Sequence, residues 1–171
     1  AIYIGIVHDT GVLRYSNTSP RTLQIVAELI KFGFDFSKII QETFFEKTYR
    51  QTQIMGRAIL ESVRFMGDKC IVSVVSRRMM DFYRVTSADL DGIVNQLLAV
   101  KGVECAIFMY ETGTLEYKVS MRSNGRVNVS AVAVKFGGGG HVRAAGCTMN
   151  GTCHDNINNL SVEIAEQLKD A

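Results

Sequence analysis

Apolar positions change their period several times along the chain, and each change predicts an element. Residues 2–7, IYIGIV, are continuously apolar and β-prone. That pattern predicts a strand buried on both faces, as in a parallel sheet. The next sixty residues are helical in pattern. Ser19 and Pro20 form a helix start, with Ser19 as N-cap and Pro20 in the first turn. Leu23, Val26, Ala27 and Ile30 then line one apolar face, and Gly33 is the stop. Ser37 opens a second helical run, and a longer one is predicted over roughly 48–66.

From Cys70 the period shortens. CIVSVVS (70–76) predicts a strand. Thr86 with Asp89 is a capping-box-like start for a helix to about Val100. VECAIFMYE (103–111) and LEYKVSMRS (115–123) read as two strands joined by a Thr-Gly turn, hence a hairpin. Asn128 is placed to cap a short helix that buries Val129, Val132, Ala133 and Phe136. A short strand near 147–150 and a terminal helix burying Ile157, Leu160, Ile164 and Leu168 complete the pattern. The fold class is therefore α/β, a mixed sheet flanked by helices.

A strand buried on both faces needs neighbours, and none is predicted between residue 7 and Cys70. The chain also lacks an initiator methionine. The expectation is that partner strands belong to sequence before Ala1 and that this is the C-terminal part of a longer protein. The alternative is a short protein whose first strand joins the later sheet. The expected organisation is 1–33 as a remnant of one domain, 34–66 as a helical linker or hinge, and 67–171 as a second domain.

Composition narrows the functional classes. With 171 residues and 47% hydrophobic content, a sizeable core can be buried. A net charge of +2 is too small for a whole-body field, so any anion binding must be local. Cys70, Cys105, Cys147 and Cys153 show no metal-type spacing. Cys70 and Cys105 read as small core residues, and the expected compartment is the reducing cytoplasm. No apolar run approaches membrane-span length, so no membrane partner is expected.

Two stretches carry candidate chemistry. In KFGGGGHVRAAG (135–146), Gly137, Gly138, Gly139 and Gly140 permit positive φ and close approach of a ligand to the backbone. Successive N–H groups there can form an anion-binding concavity. A helix beginning at His141 would add its free N–H groups. A flexible loop is the competing explanation, but the run holds no linker residues and a donor, His141, follows at once. No GK[ST] follows, so this is not a P-loop. Alone, His141 reads as a solvated loop histidine and Arg122 as an exposed strand-end cation. Arg122 matters if it points at the same place, where its planar fork would suit a phosphate, with the Ser123 hydroxyl beside it.

The second stretch is His8-Asp9-Thr10-Gly11. An aspartate just past the carboxyl end of a buried strand is well placed to hold a metal. An Asx-turn is the competing explanation. The triplet also marks aspartic proteases, which need two such carboxylates; here it occurs once, and the helical sequence after it does not suit that all-β fold.

Together these stretches resemble a known superfamily. GIVHDTGVLRYSNTSPRT is similar to the last motif of the DHH phosphoesterases, and NVSAVAVKFGGGGHVRAAGCTMNG resembles the signature of the DHHA1 domain that follows it. KVSMRS looks like that family's Lys-x-Ser-x-Arg-Ser strand, and SADLDGIVNQLLAVKGVECAIFMYE fits the region before it. The resemblance covers essentially the whole chain. It lies nearest the branch of nanoRNases and 3′-phosphoadenosine-5′-phosphate (pAp) phosphatases, labelled exopolyphosphatase-related. It implies a remnant DHH strand and helices before a DHHA1 domain, and a hydrolase using two Mn²⁺ ions to activate water. Short RNA or a nucleotide is the implied substrate, and a homodimer is an arrangement it allows.

Residue by residue, the resemblance carries Asp9 over as a metal ligand. It carries Arg122, Ser123, Gly137 to Gly140 and His141 over as a substrate clamp. His8, Asn95 and Arg143 are weaker candidates. Leu13 stands where the family commonly has phenylalanine, a change of packing. The Asp-His-His motif is absent from this chain, so catalysis by the chain alone is not expected. A non-catalytic nucleic-acid module, as at the end of alanyl-tRNA synthetases, is the alternative; it gives no reason for a metal-binding Asp9. A cyclic-dinucleotide phosphodiesterase is a further one.

Overall fold

The structure, a computed structural model, describes residues 1–15 and 17–169. The chain divides into two units, Ala1–Thr48 and Tyr49–Ala171.

The first unit corrects the opening expectation. Residues 2–7 are not a strand; they lie in helix α1 (Ile2–Asp9). A strand must find its hydrogen bonds on a neighbour, and no described residue of this unit is in a strand. A helix finds them locally, as where the Gly5 N–H donates to the Ala1 carbonyl at 3.1 Å. The apolar run then divides. Tyr3 and Val7, one turn apart, are buried with Val26 of α2 (Pro20–Ile30), while Ile2 is 68% exposed. Helix α2 begins as its sequence predicts, with Ser19 Oγ accepting from the Thr22 N–H at 3.1 Å. The cap of α3 (Phe36–Ile40) is Asp35 rather than Ser37, its Oδ1 accepting from Lys38 N–H at 2.8 Å. A π-helical turn, Gln41–Phe45, follows.

The second unit contains α4 (Tyr49–Leu60), β1 (Val63–Phe65), β2 (Cys70–Val75), α5 (Arg77–Tyr83) and α6 (Ile93–Leu98). The hairpin strands β3 (Cys105–Gly113) and β4 (Glu116–Ser123) come next, then α7 (Val129–Lys135). The short strand β5 (Gly139–His141), β6 (Ala144–Asn150) and α8 (Cys153–Lys169) complete it. One six-stranded sheet runs in the order β1-β2-β3-β4-β6-β5. Only β2 and β3 pair in parallel; the other pairs are antiparallel.

Three differences from expectation have local causes. The helix expected over 86–100 breaks at Gly92, φ +87°, into a 3-10 turn (Ser87–Leu90) and α6. The helix expected to reach 66 ends at Leu60, and Val63–Phe65 pair with Val72–Cys70. No helix begins at His141. Residues 139–150 form a two-strand hairpin turning at Val142 and Arg143, with His141 opposite Ala144.

Burial assigns the two faces of the sheet. Ile107, Met109, Val119, Met121 and Cys147 pack with Val129 and Val132 of α7 and Leu160 and Ile164 of α8. Ile71, Val75, Ala106 and Phe108 pack on the opposite face with Ile54 of α4, Met80 of α5, and Ile93 and Leu97 of α6. At roughly 25 cal/mol per Å² of apolar area, each such Val, Leu, Ile, Met or Phe side chain contributes about 1.5–3 kcal/mol. That second set of helices covers the β2–β3 half of the sheet, and α6 also packs against β4. On the same face, the part formed by β4, β6 and β5 carries half-buried and exposed residues instead.

Candidate functional site

The more open part of that face, from β4 outward, is built by register. In a strand, alternate residues share a face, and directly opposed residues on neighbouring strands share it too. Val119, Met121 and Ser123 are buried on the α7–α8 side, so Lys118, Ser120 and Arg122 point the other way. Arg122 stands opposite Ala144 on β6, and Ala144 stands opposite His141 on β5. Two strand spacings, ~10 Å, separate Arg122 from His141. The residue between them has only a methyl group. The next row is Ser120, Gly146 and Gly139, so the floor between the outer strands is again free of bulk. The third row holds Tyr110, Lys118 and Thr148.

The four glycines divide their duties. Gly137, φ +73°, ends α7, with its N–H donating to Val134 O and that of Gly138 to Ala133 O. A Cβ on Gly138 would fall 2.2 Å from Gly146 O, and one on Gly140 would fall 2.5 Å from Ala144 O. These two let β5 lie against β6. A Cβ on Gly139 meets nothing within 4 Å. The same is true of Gly137, whose positive φ already calls for glycine; Gly139 is the one required neither by its φ nor by a close approach of the protein.

The candidate side chains fall into three groups. Arg122 is half-buried and donates through Nη1 to the neighbouring Met121 carbonyl at 2.9 Å. It forms no ion pair among the described residues, so most of its fork is uncommitted. His141 is exposed on β5 and also lines an open depression of about 640 Å³ with Asn128, Ser130 and Lys135. Ser123 is buried, and its Oγ accepts from the Gly125 N–H at 3.0 Å and the Val127 N–H at 3.2 Å. Its observed work is to hold the turn after Arg122. Arg143, in the hairpin turn, lies over Gly125, where its Nη2 would be 3.3 Å from an added Cβ. Asn95 is exposed on α6.

Asp9 and His8 belong to the first unit, at the end of α1. The Asn17 side-chain amide, eight residues on, donates to Asp9 Oδ2 at 3.2 Å and to the Asp9 carbonyl at 3.1 Å. His8 Nε2 shares a hydrogen bond with Thr43 Oγ1 at 3.1 Å, and its ring meets Phe44 edge-on. Among the described residues, no three of His, Cys, Asp and Glu group to hold a metal ion.

Lys118, Ser120, Tyr110 and Thr148 were not candidates from the sequence. The strand alternation in KVSMRS would have put Lys118 and Ser120 on the face of Arg122. Tyr110 and Thr148 join them only through cross-strand register.

The second unit is thus a mixed sheet closed on one face by α7 and α8, with part of the other face open beside a glycine hairpin. A sequence model of the DHHA1 domain matches residues 67–170, and the chain belongs to that family. It is 32% identical over 152 residues to the bifunctional oligoribonuclease and PAP phosphatase NrnA of Thermus thermophilus, covering 88% of this chain and 44% of that protein. The protein of the same name from Mycoplasma pneumoniae is 32% identical over 149 residues, covering 87% of this chain and 44% of the relative. The chain thus spans about half the length of the curated relatives it matches. In fold it is similar to the crystal structure of an exopolyphosphatase-related protein from Bacteroides fragilis. The TM-score is 0.89 at 23% identity, over 96% of this chain and 48% of the other. No described helix is long and apolar enough to cross a membrane.

Proposed function

We propose that this chain is the substrate-holding part of a phosphoesterase acting on short oligoribonucleotides and pAp. The observation that carries this is the row Arg122–Ala144–His141 beside Gly139. An uncommitted guanidinium and an imidazole flank a floor of minimal side chains, where a phosphate can reach both donors. Ser123 acts through the turn it holds. The kinship with proteins named for oligoribonuclease and PAP phosphatase activity supports this substrate class.

Hydrolysis is proposed for the whole protein and depends on Mn²⁺, with Asp9 as a ligand contributed by this chain. This chain's part is to bind and orient, converting remote binding energy into position at the reacting phosphate.

Calorimetry with AMP and pAp tests the reading. The chain is expected to bind both weakly and to release no phosphate from pAp in Mn²⁺. Arg122→Ala is expected to weaken binding about tenfold, the loss of one charge-assisted hydrogen-bonding partner. Affinity unchanged in Arg122→Ala would remove that side chain from the site.

A further inference from the structure

We propose that Lys118 makes the open face a track for a short single-stranded oligonucleotide, holding a second phosphate beyond the one at Arg122. This rests on the proposed phosphate site at Arg122 and His141.

Lys118 and Arg122 lie on one strand and one face, four residues apart. At the rise of an extended strand that is ~13 Å, more than a single phosphate can bridge. A ligand touching both must extend beyond one nucleotide. Neither cation forms an ion pair among the described residues. Between them stands Ser120, opposite Gly146, so no large side chain on β4 or β6 interrupts the path. Lys118 is exposed and has Tyr110 and Thr148 as its cross-strand neighbours. Aromatic rings beside cations are the usual furniture of single-strand sites, because every base offers a face to stack on.

Charge also sets the length. Two residues beyond Lys118 on the same face is Glu116, whose carboxylate accepts the Thr112 hydroxyl. A phosphate continuing along β4 meets an anion there. The track is therefore short, with its cations at Arg122 and Lys118 and its end at Glu116.

The test is calorimetry on this chain with AMP and with oligoadenylates of increasing length. Affinity is expected to rise from AMP to a trinucleotide and then level off. Lys118→Gln should weaken the trinucleotide roughly three- to tenfold and leave AMP unchanged, and Lys118→Arg should restore it. The salt dependence of trinucleotide binding should lose about 0.7 in log–log slope, one phosphate contact on a single strand. A trinucleotide bound no more tightly than AMP overturns the track and leaves the Arg122 site standing. So does an unchanged trinucleotide affinity in Lys118→Gln, or an equal loss for both ligands. Failure of the unsubstituted chain to bind AMP or any oligonucleotide overturns the phosphate site and the track together.

Discussion

Gly138 and Gly139 are chain neighbours with opposite obligations. An added methyl at Gly138 must displace the β6 backbone, while one at Gly139 meets open space. Gly138→Ala should therefore cost about 2–3 kcal/mol as overpacking. Gly140→Ala should cost as much, since its φ of +146° adds strain to a 2.5 Å approach on Ala144 O. Gly139→Ala should cost less than about 0.5 kcal/mol in stability yet weaken AMP binding, because the methyl projects where the ligand is proposed to sit. Urea unfolding and calorimetry on the same three variants separate the effects. A Gly139→Ala variant as unstable as Gly138→Ala would return the whole run to a packing role. A four-glycine run announces close approach in the sequence. It does not say which residue is approached by protein and which by ligand, because that depends on β6, a strand that follows it.

At the scale of elements, legibility followed the range of the interactions involved. Helices α2 and α7 were readable because their signals are local: Ser19 and Asn128 cap the segment they begin, with Asn128 Oδ1 accepting from the Ala131 N–H at 3.1 Å. The β3–β4 hairpin was readable from two alternating runs around one short turn. Residues 2–7 were misread because β-branched apolar sequence states a preference for burial, and whether a strand can be built depends on neighbours. Strand β5 was missed because glycine lacks strand propensity, and its pairing is imposed by β6. For the site, Arg122 and the glycines were legible as residue types, whereas their alignment through Ala144 is a matter of register. The 3-10 turn offers a pH test. Thr86 N–H donates to Asp89 Oδ2 at 2.8 Å and its hydroxyl at 3.0 Å, and these bonds, the backbone one foremost, hold that carboxyl below its usual range. A depressed carboxyl stabilises the fold above its unfolded pKa, and the contribution is lost as pH falls through the folded value. Stability should therefore drop as acid is added below about pH 4, and Asp89→Asn should flatten part of that limb in urea titrations. An identical acid limb in the variant would show that the turn does not couple to global unfolding.

The whole molecule should show a second limb, on the alkaline side. Burial pushes the Cys70 thiol up to about 11 and Cys105, helped by its neighbour Cys70, up to about 12. Burial followed by the hydrogen bond to Glu111 pushes Tyr117 up to about 12. All three lie in the core between the sheet and α7–α8. Raised acids stay protonated in the fold while the unfolded chain has already released its protons. Stability is therefore full below the unfolded values and falls as pH climbs from about 9 toward 12. Denaturation midpoints across that range should decline, and Tyr117→Phe should remove part of the decline above pH 10; a midpoint independent of pH up to 12 would contradict it. The sheet's outline has a different consequence. Its edge strands, β1 and β5, are three residues each, whereas the four inside them run from six to nine. Unpaired strand edges are templates on which another chain can add and polymerise. Here each edge offers a template three residues long, and one of them begins with two glycines, which pack poorly against any newcomer. The same sequence that thins β5 enough to open the face thereby also guards the sheet against growing into a fibre.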